Sequence, residues 1–373
     1  MKIGIDCRML SPGFGLGRYV QQLVKHLQAI DTKNQYILFL KADNWKEVEE
    51  SENFKKVLTD IPWYSWQEQT KLKKIIKKEN VDLMHFPHWN VPLSYHDPFV
   101  VTIHDLIMYH FPRPQATTRS RIVFWLKDKI HRMVIRHAVE KASRVIATSE
   151  FTKGDVVKTL HIAESKITVV YQAPFVDDAY RASPITYHDI QKKYSITEPY
   201  VLYVGAAYPH KNLERLVDAW KLFEEKYGEN YQLVLVGKED YFYKRLKSGI
   251  KAGESKIIFT GFASDDELVE LYKHASLYVF PSLYEGFGLP PLEAMSYGVP
   301  VVSSHASCLP EVLGDAAVYF DPQSIENICY TIQRVLEDKD IQTMLLQNGR
   351  ERIKELSNIR GASSTLDIYR SCI

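Results

Sequence analysis

Short apolar runs alternate with amphipathic helical patterns along the whole chain. In the first half the runs fall at 2–6, 36–40, 82–86, 99–103, 144–148 and 167–171. In the second half they fall at 200–204, 232–236, 256–260, 277–280 and 299–303. Several are nearly continuous rather than alternating: Phe99, Val100, Val101 and Ile103, then 201–204, then 233–236. A strand buried on both faces reads this way, which predicts parallel sheets covered by helices. Between the runs, apolar residues recur at helical spacing. After Asn212, the expected N-cap, they fall at Leu213, Leu216, Val217, Trp220, Phe223 and Tyr227, and Gly228 marks the stop.

The strand–helix alternation restarts near residue 199, after a polar stretch at 176–197 that reads as a linker. A chain of 373 residues suits two domains. The expected division is 1–180 and 181–349, each a Rossmann-like, doubly wound α/β unit. Ligands of such sheets bind beyond the carboxyl ends of the strands, so the informative residues should directly follow strands.

Composition narrows the class. A hydrophobic fraction of 45% and a charged fraction of 25% describe a soluble globular chain and exclude disorder. A net charge of +1 excludes a general polyanion binder, so no nucleic-acid partner is expected. Cys7, Cys308, Cys329 and Cys372 are scattered, with no CxxC pair, which suits a reducing compartment. Met1-Lys2 leads straight into Ile3-Gly4-Ile5, with no signal peptide, and no apolar run approaches the roughly 20 residues of a membrane span. The expectation is a cytoplasmic protein whose membrane contact, if any, is peripheral. Residues 119–144 bear on that: eight Lys or Arg stand against two acids, with Ile122, Phe124, Trp125, Leu126, Ile130, Met133 and Val134 among them. Such a helix either lies on an anionic bilayer or packs on its own domain with a solvated basic face.

The strongest chemical signal runs from Pro281 to Met295, after the strand 277–280. Gly286, Gly288, Pro290 and Pro291 mark a loop that opens a helix, since proline needs no amide hydrogen in a first turn. The amides around Phe287, Gly288 and Leu289 then carry the roughly half positive charge of a helix start, which favours a diphosphate. Glu285, with Ser282 in the same loop, can reach a transferred sugar. Glu293, one turn into the helix, can accept bonds from vicinal ribose hydroxyls. The plain alternative is a capped helix with two surface acids.

Gly205 through Asn212 follows the strand 200–204. A glycine turn with a lysine near a helix start suits a phosphate clamp, with Lys211 neutralising the departing diphosphate. Gly237-Lys238 and Gly261-Phe262 also follow strands and are candidates to line a base and ribose pocket. In the first half, Gly13, Gly15 and Gly17 follow the first strand and would let backbone approach a donor phosphate or the acceptor. Their G-x-G-x-G spacing is not the G-x-G-x-x-G of dinucleotide sites, and a simple βα turn reads equally well. His104 ends the strand 99–103, where an imidazole can bond a sugar hydroxyl or carry a proton.

Taken together these residues resemble glycosyltransferase family 4, retaining enzymes of the GT-B fold. The resemblance rests on Ser282-x-x-Glu285-Gly286-Phe287-Gly288, then Glu293-Ala294-Met295, then 298–302, 309–312 and 314–317. The segments 15–19 and 102–105 are similar to the bacterial mannosyltransferase branch of surface polysaccharide synthesis. The resemblance implies two Rossmann-like domains facing a central cleft, with a C-terminal helix at 350–373 crossing back onto the first. It implies Lys211 on the donor diphosphate, Glu285 on the donor sugar, Glu293 on the ribose and His104 beside the reacting sugar. It also implies no metal and no cofactor beyond the sugar nucleotide. GDP-mannose is the expected donor and a glycan or lipid-linked hydroxyl the acceptor. Many members carry arginines where this chain has Ala206 and His210. The clamp here would rest on Lys211, on backbone amides, and on Arg18 or His210.

Three rivals stay open on sequence. A glycosidase would use Glu285 and Glu293 about 5–5.5 Å apart. A nicotinamide-dependent oxidoreductase needs G-x-G-x-x-G and an acid ending the second strand, near Asp43. A non-catalytic sugar-nucleotide binder would share the pocket and lack turnover.

Overall fold

The computed structural model describes residues 1–11, 15–114, 121–174, 185–251, 253 and 255–372. The chain forms two compact units: Met1–Gln172 with Ser357–Ile373, and Ala173–Leu356. The division falls at 172/173. The boundary read from sequence at 180/181, and most of the first half of the expected linker, lie outside the described residues.

Among the described residues unit 1 carries seven strands: β1 (Lys2–Asp6), β2 (Gln35–Leu40), β3 (Phe54–Leu58), β4 (Leu83–Phe86), β5 (Phe99–Ile103), β6 (Arg144–Ala147) and β7 (Ile167–Val169). They lie side by side as β3-β2-β1-β4-β5-β6-β7. Every pairing is parallel. Unit 2 carries β8 (Tyr200–Val204), β9 (Gln232–Val236), β10 (Ile257–Gly261), β11 (Leu277–Phe280), β12 (Val301–Ser304) and β13 (Val318–Phe320). Their order is β10-β9-β8-β11-β12-β13, again all parallel. Both sheets thus repeat the doubly wound order 3-2-1-4-5-6, and the chain changes direction across the sheet between β1 and β4 and between β8 and β11.

The continuous apolar runs become the central strands. β5, β9 and β11 are buried at every position. Two strands have no counterpart in the sequence reading. β3 is an edge strand, Phe-Lys-Lys-Val-Leu, of which only Phe54 is buried. Its lysines, which blunt the edge against further pairing, break the apolar run. β13 has three residues, of which only Phe320 is buried.

The C-terminus differs from the single returning helix expected at 350–373. Helix Lys339–Glu355 stays in unit 2, and a separate helix, Asn358–Arg370, belongs to unit 1. Leu356 and Ser357 are extended and divide them. The second helix buries Ala362, Leu366, Ile368 and Tyr369 in the core formed with Ile3, Ile5, Val20 and Leu27. Asn212 also departs from its expected role. It precedes helix Leu213–Tyr227 in a left-handed conformation, and its side chain caps nothing. Its amide instead donates to Pro281 O at 3.1 Å and Pro322 O at 2.8 Å, tying loops together.

Candidate active site

The donor candidates converge in unit 2. β8 and β11 flank its crossover, and the loops after them carry the two principal motifs. After β8 the chain passes through a 3-10 turn, Pro209–Lys211, into helix Leu213–Tyr227. After β11 it runs through 281–288 into helix Leu289–Ser296. Leu283 N donates to His210 O at 2.7 Å, and with Asn212 this locks one loop to the other. On that frame Lys211 Nζ meets Glu285 Oε1 at 2.6 Å, with side-chain exposures of 17% and 9%. The pair is shielded enough for its charges to matter, and still open to a ligand. Lys211 also lies 5.6 Å from the centre of the Phe280 ring.

Glu285 is held from its backbone: its N–H donates to Ser307 Oγ at 3.0 Å. Ser282 lies in the same loop, and its buried hydroxyl has no hydrogen-bond partner among the described residues. Gly288 stands at the N-cap position with φ +92, and no side chain caps the helix. A Cβ at Gly288 would come within 2.8 Å of Leu309 Cδ2, so both backbone and packing demand glycine. Phe287 O accepts from Cys308 Sγ at 3.2 Å. The helix start follows Glu285 closely in the chain, and no side chain caps it at Gly288. Glu293, on the fifth residue of that helix, accepts from Tyr272 OH at 3.3 Å.

Gly205, Gly237 and Gly261 gather at the ends of β8, β9 and β10. Gly205 N donates to Val236 O at 2.9 Å and Gly237 N to Gly261 O at 3.1 Å. Tyr243, which sequence reasoning missed, donates from its hydroxyl to Gly205 O at 2.8 Å. A Cβ on Gly237 would collide with Gly205 O and the Tyr243 ring, so this glycine serves close packing. Lys238 is exposed, and Phe262 presents a ring 74% exposed. His210 is not a surface cation: the residue is 2% exposed.

The remaining candidates lie in unit 1. Gly15 and Gly17 occupy the first turn of helix Gly15–Ile30 rather than a turn preceding it. Gly13 lies outside the described residues. A Cβ at Gly17 would strike the Ser11 backbone, so Gly17 fits closely under the chain, while Gly15 is open. His104 follows β5. Its Nε2 donates to Pro87 O at 2.9 Å, and its Nδ1 lies 2.9 Å from Gln172 Nε2. Burial lowers its pKa to about 4. Both ring nitrogens thus have partners within the protein, Pro87 O and Gln172 Nε2.

Two buried networks in unit 1 join residues from distant segments. His85 bridges Tyr369 OH at 2.6 Å and Thr102 Oγ1 at 2.9 Å. Thr102 Oγ1 lies 3.2 Å from Tyr19 OH, and the Tyr19 ring stands edge-on to His104 at 4.8 Å. Separately, Arg8 pairs with Asp6 at 2.7 Å and with Glu68 at 2.6 Å, all fully or nearly buried. Asn90 Nδ2 donates to Glu68 Oε1 at 2.7 Å. Asp6 closes the first apolar run and Arg8 follows it, which was a usable signal. Glu68 and Asn90 come from distant segments.

Two parallel sheets in one crossover order, with a cation and an uncapped helix start at the crossover of the second, define a glycosyltransferase of the GT-B fold. Residues 15–174 match the family described as Glycosyltransferase Family 4, and residues 187–352 that described as Glycosyl transferases group 1. The chain belongs to glycosyltransferase family 4, with its two family domains in tandem. It is 29% identical over 293 residues to O-antigen chain mannosyltransferase B of Escherichia coli, covering 77% of this chain and 74% of that protein. It is 33% identical over 207 residues to the serotype-specific mannosyltransferase WbdA of Escherichia coli, covering 54% of this chain and 25% of that protein. The match thus takes in about a quarter of that relative's length. The solved structure of Anabaena HepE in complex with UDP-glucose shares the fold at a TM-score of 0.74 and 18% identity, covering 100% of both chains.

Proposed function

We propose that this glycosyltransferase moves mannose from GDP-mannose, with retention of anomeric configuration, to a hydroxyl of a glycan or lipid-linked acceptor at the cytoplasmic face of a membrane. The observation that carries the donor half is the Lys211–Glu285 pair at the unit 2 crossover, beside the uncapped helix start. An incoming diphosphate takes over Lys211, and the amides at 286–289 share its charge. Glu285, released from Lys211, faces the sugar hydroxyls, and Glu293 takes the ribose. Phe262 and Lys238 border the base. No metal is needed in this reading, because the lysine and the helix start carry the charge of the leaving group.

The diphosphate departs from the face that the acceptor attacks, through an oxocarbenium-like transition state. The C–O bond to the phosphate breaks, the new glycosidic bond forms on the same face, and a phosphate oxygen takes the acceptor proton. Catalysis is then charge stabilisation and positioning. His104, neutral and doubly hydrogen-bonded, borders the acceptor without moving its proton.

Two mannosyltransferases among the relatives support the mannosyl assignment. A UDP-sugar donor is the second reading, favoured by HepE, which was solved with UDP-glucose. A thermal-shift panel decides. A donor at a hundred times its Kd raises folding free energy by about 2.7 kcal/mol. GDP-mannose is expected to stabilise most, and the rank order names the base and sugar. If no sugar nucleotide stabilises the protein, the reading fails.

Peripheral membrane contact is part of the same proposal. In helix Arg121–Lys141, Ile135, Ala138 and Val139 join the core. Toward its start, Ile122, Trp125, Leu126, Ile130 and Met133 are exposed at spacings that share one face, among Lys127, Lys129 and Arg132. Residues 119 and 120 of the basic segment lie outside the described residues. The surface is apolar and cationic together, as an anionic bilayer requires. Among the described residues no helix is long and apolar enough to cross a membrane.

A further inference from the structure

A second aromatic surface in unit 1 lies on a stretch that carries no lysine or arginine of its own. Trp63, Tyr64 and Trp66 fall within four residues and are 38%, 61% and 82% exposed. Isolated exposed aromatics are ordinary, but three in one turn form a patch. Lys41 Nζ lies 5.5 Å over the Trp63 ring, which leaves Tyr64 and Trp66 as the open faces.

The turn is fixed from beneath. Ile61 O accepts from Arg8 Nη1 at 3.3 Å. Tyr64, at φ 53, donates its N–H to Glu68 Oε2 at 3.1 Å. The other carboxylate oxygen of Glu68 is held by Arg8 and Asn90. The buried ionic network thus serves as an anchor for the turn. A residue other than glycine rarely adopts this backbone conformation, and it persists only when its surroundings enforce it. A pre-ordered aromatic surface loses little entropy when it binds.

The turn also reaches the crossover. The Tyr64 ring stacks on Trp89 at 5.2 Å. Trp89 lies 4.7 Å from the ring of His88, and His88 lies 6.3 Å from that of His104. Aromatic rings therefore run without a break from the open face of the turn to the end of β5. That is where doubly wound sheets take their ligands.

Charge identifies the ligand class. Residues 59–70 contain no lysine or arginine; Asp60 is exposed, Glu68 is buried against Arg8, and Ser65, Gln67, Gln69 and Thr70 add uncharged polar groups. Such a stretch lacks the cluster of exposed cations that draws a helix to an anionic bilayer. It suits a neutral, hydroxyl-rich molecule: a pyranose has an apolar C–H face for an aromatic ring and a rim of hydroxyls for amides and carboxylates. We propose that the turn at 63–66 is a saccharide-binding platform, on which Tyr64 and Trp66 stack a ring of a neutral oligosaccharide acceptor. The inference rests on the reading of the chain as a transferase to a glycan.

Calorimetric titration of soluble oligosaccharides of two to four hexoses, mannosyl, glucosyl and galactosyl, is done without donor on the intact chain. The wild type is expected to bind one series. Tyr64→Ala and Trp66→Ala are each expected to weaken binding about tenfold, the scale of a lost aromatic contact of roughly 1.4 kcal/mol. Trp66→Phe should restore most of it, and Trp125→Ala should leave it unchanged. Melting temperatures near the wild-type value show that the variants fold. Wild-type protein that binds no oligosaccharide, or Tyr64 and Trp66 variants that bind like wild type, overturns the platform. So does a Trp66 variant that loses anionic-vesicle association while keeping oligosaccharide affinity. Donor stabilisation, read on the same samples, should be unaffected; its absence in the wild type refutes the transferase reading without touching this titration.

Discussion

Lys211 Nζ and Glu285 Oε1 stand 2.6 Å apart, although 74 positions separate them in sequence. The pair closes the crossover of the second sheet. Under the proposed function it sets a demand: the lysine assigned to the diphosphate is held by the carboxylate assigned to the sugar, so donor binding would exchange one partner for another.

Removing either partner tests this directly. Lys211→Ala and Glu285→Ala are each expected to lower turnover about a hundredfold or more, as for other charge-stabilising groups. The check is transfer of labelled sugar by variants whose circular dichroism matches wild type. Lys211→Ala should also lower stability by about 1–3 kcal/mol, since it strands a carboxylate that is 9% exposed. Near-normal rates in both variants would discredit the assignment.

Gly237→Ala is expected to cost about 1–3 kcal/mol through overpacking. The new methyl lands on Gly205 O and the Tyr243 ring. Urea unfolding measures the loss, and donor affinity should fall with it, because Gly205 opens the loop that carries Lys211. A variant as stable as wild type would mean that β8 and β9 can separate freely.

The buried histidines set an acid limit. Burial, then repulsion from His104, lowers the pKa of His85 to about 3, and burial lowers that of His104 to about 4. Unfolded histidine titrates near 6.5, so between about pH 6.5 and 4 the unfolded chain binds protons that the folded chain refuses. Stability is then full above about pH 6.5 and falls as the pH drops. The slope is up to about 1.4 kcal/mol per pH unit for each such group. Unfolding midpoints at pH 7 and pH 5 check the sign, and His85→Gln should flatten the slope. A midpoint that rises on acidification would show that these rings are protonated in the fold.

The apolar stripe of helix Arg121–Lys141 makes a separate test. Trp125→Glu, at a site 67% exposed, should leave the melting temperature unchanged and reduce co-sedimentation with anionic vesicles several-fold. High salt should do the same in the wild type. Unaltered sedimentation would remove this helix from the membrane reading.

Much of the fold could be read from the chain because burial on both faces leaves a local trace. The runs at 99–103, 201–204 and 232–236 became central strands, while the lysine-broken edge at 54–58 and the three residues at 318–320 escaped notice. The candidate donor motifs could be picked out for a related reason. In a doubly wound sheet a ligand-binding residue directly follows a strand, so Lys211, Glu285 and Gly288 stand at positions that periodicity alone marks.

What the sequence could not determine depends on contacts between distant segments. Gly237 resembles a ligand glycine until Gly205 and Tyr243 are seen against it. That both nitrogens of His104 meet Pro87 and Gln172 is visible only in the fold. The Arg8–Glu68–Asn90 anchor, and the bonds from Tyr369 through His85 to Thr102, join residues tens to hundreds of positions apart. The chain itself fixed periodicity, turn chemistry and the types of residue at strand ends, because those are properties of neighbours. Tertiary structure decided which side chains had partners, since burial without a partner is costly and only the packed fold determines who meets whom.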